Sequence, residues 1–160
     1  MTLEPVIIAA PFTAMAAAMS YVPDEVFASN IVGPGIALIP TSTSGRVEVF
    51  APVSGVVAAV FPHAFSIDVG DSRNVLVHLG IDTVELRGDG FELHVSQGDT
   101  VERGDLMISW EPSVAEQAGY ALHCPVVAVQ AEDSDFDIVA ELGQPVTVGT
   151  PLAVWRLREA

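Results

Sequence analysis

Nearly every apolar run in this chain is short, rich in Val, Ile and Ala, and cut off by Gly, Pro, Asp or Ser. Examples are "VIIAAP", "GIALIP", "VEVFAPVSGVVAAVF", "VLVHLGI", "DLMISW", "PVVAVQA" and "PLAVWRL". Short β-branched runs bounded by turn residues are strands, and many of them at close spacing predict an all-β sandwich or barrel. The 160 residues hold 13 Gly and 11 Pro, which supply the turns such a fold needs. Only two segments carry helical signals. "PDEVFAS", 23–29, has acids in its first turn, where they favour the helix dipole. "SVAEQAG", 113–119, starts on Ser and stops on Gly. The apolar stretch 6–22, "VIIAAPFTAMAAAMSYV", reads as a buried strand, a turn and a second strand. A signal peptide would need basic flanks, but "MTLEP" carries an acid and neither Lys nor Arg. Pro11 also interrupts the run, which is short for a bilayer span, so no direct membrane insertion is expected.

Weak internal repetition runs through the chain. "APFTAMAAAM" (10–19) echoes "APVSGVVAAV" (51–60), and "GDTVERG" (98–104) echoes "GQPVTVG" (143–149). The second pair shares the form GxxVxxG: a turn glycine, a core valine and another turn glycine ahead of a strand. Two similar half-motifs facing each other across one core are expected. No linker or low-complexity tract divides the sequence, so 1–160 is expected to form a single domain. "GPG" at 33–35 lacks the spacing of a dinucleotide loop and reads as a turn before "IALIP".

Charge narrows the function. The formal net charge is −15 at pH 7, which repels phosphate backbones and anionic headgroups; nucleic acid and membrane surfaces are poor partners, and a basic protein face a better one. There is no lysine: the six basic residues are Arg46, Arg73, Arg87, Arg103, Arg156 and Arg158. Schiff-base chemistry, biotin or lipoyl attachment and a Walker-type phosphate lysine are therefore excluded. Cys124 is the single cysteine and has no intramolecular partner for a disulfide. Without an export signal this fits a reducing, cytoplasmic setting.

The chemistry-bearing residues are a pair of histidines around a turn. "HAFSIDV" and "SRNVLVH" flank Gly70-Asp71, and Gly first in a two-residue loop predicts a type II′ hairpin. In that register Asp68 faces Arg73, Phe65 faces Leu76, and His63 falls opposite His78, with Phe65, Ile67 and Leu76 on the same face. Directly paired residues have Cβ atoms about 4.5–5.5 Å apart, so both imidazoles reach one small ligand. Two imidazolium ions that close repel, so at least one ring is neutral. Neutral imidazole is a nucleophile, a metal ligand or a proton shuttle. Metal hydrolysis, acid–base catalysis and phosphoryl carriage all remain open on these residues alone. The carriage of a phosphoryl group asks least of the site, needing one histidine to take it and one to steady its oxygens. His94 and His123 have no comparable setting.

The same segments resemble a known family. "HAFSI" (63–67) and "VHLGIDTVELRGDGF" (77–91) are similar to the two histidine motifs of the glucose-type enzyme IIA domain of the bacterial phosphoenolpyruvate-dependent sugar phosphotransferase system. "VPDEVFASNIVGPGIALIP" (22–40), "GDTVERGDLMI" and "PVTVGTPLAVWR" extend the resemblance over roughly residues 5–157. It implies a β-sandwich of duplicated half-motifs. It implies that His78 accepts a phosphoryl group on Nε2 from the histidine-containing phosphocarrier protein (HPr) and passes it to a cysteine of enzyme IIB. The Gly80 carbonyl would hold the other ring nitrogen, Asp82 would sit at the edge of the site, and His63 would hydrogen-bond the phosphoryl oxygens. Phe27, Leu76 and Val84 would form an apolar docking face, with Asp24 near it. Phe61 stands where the family often has a threonine, and Ala14 replaces a common turn glycine.

No required cofactor is expected, and at most a weak zinc site at the His63–His78 pair, whose two imidazoles leave a tetrahedral shell half open. Neither an amphipathic membrane arm nor an enzyme IIB or IIC segment is visible, so a free-standing component is expected. A regulatory protein that binds permeases or kinases according to its phosphorylation state is the alternative. A zinc peptidase on a similar sandwich is disfavoured, because its H-x-H pair is missing.

Overall fold

The computed structural model of the chain describes residues 4–157. The first half-motif runs β1 (Val6–Ala9), β2 (Ala14–Ala18), a 3-10 turn at Met19–Tyr21, α1 (Glu25–Ala28) and β3 (Gly35–Pro40). Next come β4 (Val47–Phe50), β5 (Gly55–Phe61), β6 (Ala64–Asp68) and β7 (Asn74–His78). A 3-10 turn at Thr83–Leu86 leads to β8 (Phe91–Leu93), β9 (Thr100–Val101), β10 (Leu106–Trp110) and α2 (Pro112–Gln117). The chain closes with β11 (Cys124–Ala128), β12 (Phe136–Ile138), β13 (Pro145–Val146) and β14 (Pro151–Trp155). The protein is the expected β-sandwich, with two short α-helices among the described residues. Both lie where their signals stood: Asp24 caps α1 by accepting the Val26 N–H at 2.9 Å, while α2 starts at Pro112, one residue ahead of the expected Ser.

Eight strands form one sheet in the order β13-β2-β3-β11-β7-β6-β5-β9, and two three-stranded sheets, β1-β14-β12 and β4-β10-β8, complete the sandwich. The order is close to palindromic. The first echoed pair becomes β2 and β5, second from either edge, and the GxxVxxG segments become the edge strands β13 and β9 beside them. Hydrogen bonds repeat the symmetry. Ala10 exchanges bonds with Thr150 and Gly149 as Ala51 does with Asp105 and Gly104, and Ala16 pairs with Gln144 and Gly143 as Val57 does with Asp99 and Gly98. The inner face of the large sheet buries Ile36, Leu38, Phe65, Ile67, Val75 and Val77 with Met107, Ile108, Trp110 and Leu152. The outer face is covered in its middle by the segment around α1, which packs Met19, Val22 and Phe27 on Ala37, Val127 and Ile81.

The β6–β7 hairpin corrects the expected register by one residue. Its loop has three residues: Asp71 and Ser72 are both left-handed, at φ 52° and 59°, and the Arg73 N–H closes on the Gly70 carbonyl at 3.0 Å. That is a primed turn with Asp71 and Ser72 at its centre. Consequently Ala64, not His63, pairs with His78, Ser66 faces Leu76, and Phe65 faces Val77. Asp68 faces Asn74 instead of Arg73. Its carboxylate accepts the Gly70 N–H at 2.7 Å, while Arg73 reaches Asp71 at 3.6 Å. A one-residue slip exchanges the faces of a strand, so Phe65 and Ile67 lie in the core and only Leu76 shares the face of His78.

Left-handed non-glycine residues cost about 1–2 kcal/mol each. Replacing the turn by Asp71→Asn with Ser72→Gly, the pair that primed turns favour, is expected to stabilise the fold by about 1 kcal/mol. At this chain length that is roughly 2–4 °C in melting temperature. The lost Asp71–Arg73 pair is too exposed to offset the gain. A melt showing an unchanged or lower midpoint would contradict this turn assignment.

Candidate functional site: a histidine pair at the rim of the large sheet

The two histidines meet by a route that strand pairing alone does not give. His63 occupies the two-residue turn Pro62-His63 between β5 and β6, where Phe61 pairs with Ala64. A turn residue is free of the pleat's alternation, so its ring can reach the face of His78. The His63 carbonyl accepts the Leu79 N–H at 2.8 Å, which ties the turn to the end of β7. The imidazole centroids lie 5.0 Å apart at 76°. A bulge between Val57 and Ala59 in β5 completes the arrangement. Without it Phe61 would share the inward face of Val57; the extra residue turns Phe61 outward, toward His63. The two rings stand 6.1 Å apart, and Phe61 is 56% exposed.

His78 is held at one nitrogen. Its Nδ1 lies 2.6 Å from the Gly80 carbonyl. A carbonyl only accepts, so Nδ1 carries the proton and Nε2 keeps its lone pair. The chain reaches this geometry through Gly80 at φ 77° and Asp82 at φ 62°. A side chain at Gly80 would place its Cβ 2.6 Å from the Thr83 methyl and 3.1 Å from the Ala121 carbonyl oxygen, so only glycine fits. The Phe27 ring covers His78 at 5.3 Å. Burial lowers the His78 pKa below the ordinary imidazole value, against the Gly80 hydrogen bond and the negative charges of Asp24 and Asp82. For His63, burial first and the nearby His78 second push it down to about 4. At neutral pH both imidazoles are therefore neutral, and His78 keeps its Nε2 lone pair. Between the rings and Leu76 lies a mostly apolar cavity of about 210 Å³, lined also by Phe61, Ala64 and Ser66. A wider groove of about 540 Å³ around Met15, Ala17, Tyr21 and Leu142 has no histidine or carboxylate in its walls.

The remaining expected residues are spread around this centre. Asp24 is engaged as the α1 cap, yet its charge still reaches His78. Leu76 is half-buried in the cavity wall. Val84 is 56% exposed, whereas Phe27 is only 9% exposed and forms the wall behind His78. The sequence marks Phe61 as a departure near the site, at a position where the family often has a threonine, and the structure puts its ring beside His63. His94 lies elsewhere, its Nε2 2.7 Å from the Ser109 hydroxyl, which donates to Glu48 at 2.7 Å. His123 is half-buried with its Nδ1 unpartnered, and burial lowers its pKa. Cys124 is wholly buried, with its thiol pushed up to about 12, which makes it inert as a nucleophile. No helix among the described residues is long and apolar enough to cross a membrane.

Comparison with known proteins agrees with this fold. Residues 6–134 match the family model of the phosphoenolpyruvate-dependent sugar phosphotransferase system, EIIA 1, and the chain belongs to that family. It is 39% identical over 122 residues to a PTS system beta-glucoside-specific EIIBCA component of Halalkalibacterium halodurans, covering 75% of this chain and 19% of that protein. A protein of the same description from Dickeya chrysanthemi is 43% identical over 117 residues, 72% of this chain and 18% of the relative. The chain thus spans less than a fifth of the length of these relatives. Among solved structures, the glucose permease IIA from Mycoplasma capricolum superposes with a TM-score of 0.80 at 30% identity, over 95% of this chain and 96% of that one.

The histidine environment sets a pH dependence. Unfolded His63 titrates near the ordinary value of 6.5 and folded His63 near 4, so between these values the unfolded state binds more protons. Stability therefore falls as pH drops through that window and is unaffected by this group above it. Urea unfolding should show His63→Gln gaining on the wild type as pH falls from 6.5 to 4, with a constant difference above pH 7.5. A gap independent of pH would mean that His63 is not buried neutral.

Proposed function

We propose that this chain is a phosphocarrier of the sugar phosphotransferase system, taking a phosphoryl group on His78 from the phosphocarrier protein HPr and passing it to a cysteine of an enzyme IIB domain. The observation that carries this reading is the 2.6 Å contact from His78 Nδ1 to the Gly80 carbonyl, which leaves Nε2 as a free nucleophile beside His63. The Nε2 lone pair attacks phosphorus, the donor's P–N bond breaks, and its electron pair returns to the donor imidazole. No proton has to move, because His78 keeps its proton on Nδ1. The ring gains positive character on becoming phosphorylated, and the Gly80 carbonyl with Asp24 and Asp82 stabilises it. His63, neutral at pH 7, donates an N–H to the phosphoryl oxygens. Onward transfer repeats the displacement with the IIB thiolate as nucleophile, leaving neutral His78.

The scheme needs no cofactor and belongs in the cytoplasm, where phosphoenolpyruvate feeds such a relay. Apolar Leu76 and Phe61 in the cavity wall, together with the exposed Val84, suit a docking face that excludes water during transfer. The EIIBCA composition of the relatives supports an enzyme IIB partner.

The decisive experiment incubates the protein with phosphoenolpyruvate, enzyme I and HPr. One acid-labile, base-stable phosphoryl group per chain is expected, and its absence would refute the reading. His78→Ala should accept none. His63→Gln keeps an N–H donor of similar reach but cannot take a proton beside the phosphoryl oxygens as an imidazole can; it should still be phosphorylated on His78, with transfer to enzyme IIB slowed on the order of 10²-fold. Equal loss of acceptance in both variants would overturn this division of roles.

Zinc would find only the two imidazoles here, since no cluster of three His, Cys, Asp or Glu able to hold a metal occurs among the described residues. Two ligands leave a tetrahedral shell half open. Zinc added to the protein should therefore be lost on dialysis against a mild chelator, and stoichiometric retention would contradict a carrier site.

A further inference from the structure

We propose that Thr83 is a positioning residue for His78: it holds the Gly80 peptide so that its carbonyl stays on Nδ1 and the lone pair stays on Nε2. The inference deepens the phosphocarrier reading and rests on it. Thr83 is wholly buried, with 0% of its surface exposed. Its hydroxyl donates to the Leu79 carbonyl at 2.6 Å, and its methyl lies 2.6 Å from where a Cβ on Gly80 would stand. The hydroxyl thus grips one side of the Leu79–Gly80 peptide while the methyl packs on the Gly80 Cα.

The polar groups on either side of Gly80 account for themselves completely. The Leu79 carbonyl accepts from Thr83, and the Gly80 N–H bonds to the buried Cys124 thiol. The Gly80 carbonyl accepts from His78, and the Ile81 N–H donates to the Ala121 carbonyl at 3.0 Å. Of these partners, Ala121 acts through backbone that substitution leaves in place, and His78 is the group being positioned. Cys124 is a weak acceptor. The Thr83 hydroxyl is the strong side-chain anchor of the set. It is needed because the short loop between β7 and the 3-10 turn bends through two left-handed residues, Gly80 and Asp82. A rotation of the Gly80 peptide would turn its carbonyl away from Nδ1. The imidazole could then place its proton on Nε2, where it blocks attack.

The test compares Thr83→Val, which keeps shape but loses the hydroxyl, with Thr83→Ser, which keeps the hydroxyl. Ring ¹⁵N spectra report the His78 tautomer, and single-turnover kinetics report phosphoryl acceptance from HPr. The wild type is expected to hold the Nδ1–H form. Thr83→Val should show a mixed tautomer and accept phosphoryl about tenfold more slowly, the size expected for losing an outer hydrogen bond to a reactive histidine's support, with KM for HPr unchanged. Thr83→Ser should restore both the tautomer and most of the rate. If Thr83→Val does not fold, Thr83→Ala, which introduces no bulk, carries the same comparison with Thr83→Ser. A folded hydroxyl-free variant with the wild-type tautomer and rate would overturn the proposal and leave Thr83 a packing residue. Because the tautomer is read without any partner protein, its shift tests Thr83 even where phosphoryl acceptance fails, which would instead count against the phosphocarrier reading.

Discussion

Two reciprocal backbone hydrogen bonds lock the halves of this protein together. The Ala9 N–H donates to the Pro52 carbonyl at 2.9 Å, and the Phe50 N–H donates to the Pro11 carbonyl at 2.8 Å. Each proline offers a carbonyl and no competing N–H, so the crossing has one sensible pairing. Around it Ala10 and Ala51 make matching bonds to the turns that end at Gly149–Thr150 and Gly104–Asp105. This crossing sends β2 toward one flank of the large sheet and β5 toward the other. It leaves β11 and β7 at the centre, where their pairing joins the two halves.

The site follows from that arrangement. The segment carrying α1 covers only the middle of the large sheet's outer face. The end of β7 and the β5–β6 turn emerge beside this cover, so His78 is backed by Phe27 while His63 and Phe61 stay toward solvent. Partial burial then does the chemical tuning. Both imidazoles are held neutral chiefly because water is excluded from them, and a neutral imidazole is what nucleophilic attack requires. No arginine lines the cavity between them, so in the proposed relay the negative charge of a transferring phosphoryl group would be met by N–H donors and by the partner. In a chain of net charge −15, that favours partners with a basic surface.

Duplication also explains why one half carries chemistry and the other does not. The two flanks of the large sheet are built alike, β2 beside β13 and β5 beside β9. Only the second flank ends in Pro62-His63, and only β5 carries the bulge that turns Phe61 to the outer face. The first flank leads from β2 into Met19–Tyr21 and α1, which become the cover of the site.

The sequence by itself determined the strands, the two short helices, the half-motif repeat and the histidine motifs. These depend on local quantities: the length of apolar runs, turn residues at their ends, and the spacing of a few side chains. The part played by Gly80 came only with the family resemblance, since a glycine two residues after His78 reads by itself as no more than a break in the strand. The tertiary structure alone decided how the histidines meet. "VGDSRN" is compatible with a two- or three-residue loop, and the choice was made by burial of Phe65, Ile67, Val75 and Val77 together on the inner face. Nothing local announces the bulge near Ala58, the burial of Phe27 behind His78, or Thr83 gripping the Leu79 carbonyl. Each depends on contacts across the sheet or within a loop whose shape is set by distant packing, and such contacts leave no periodic trace in the chain.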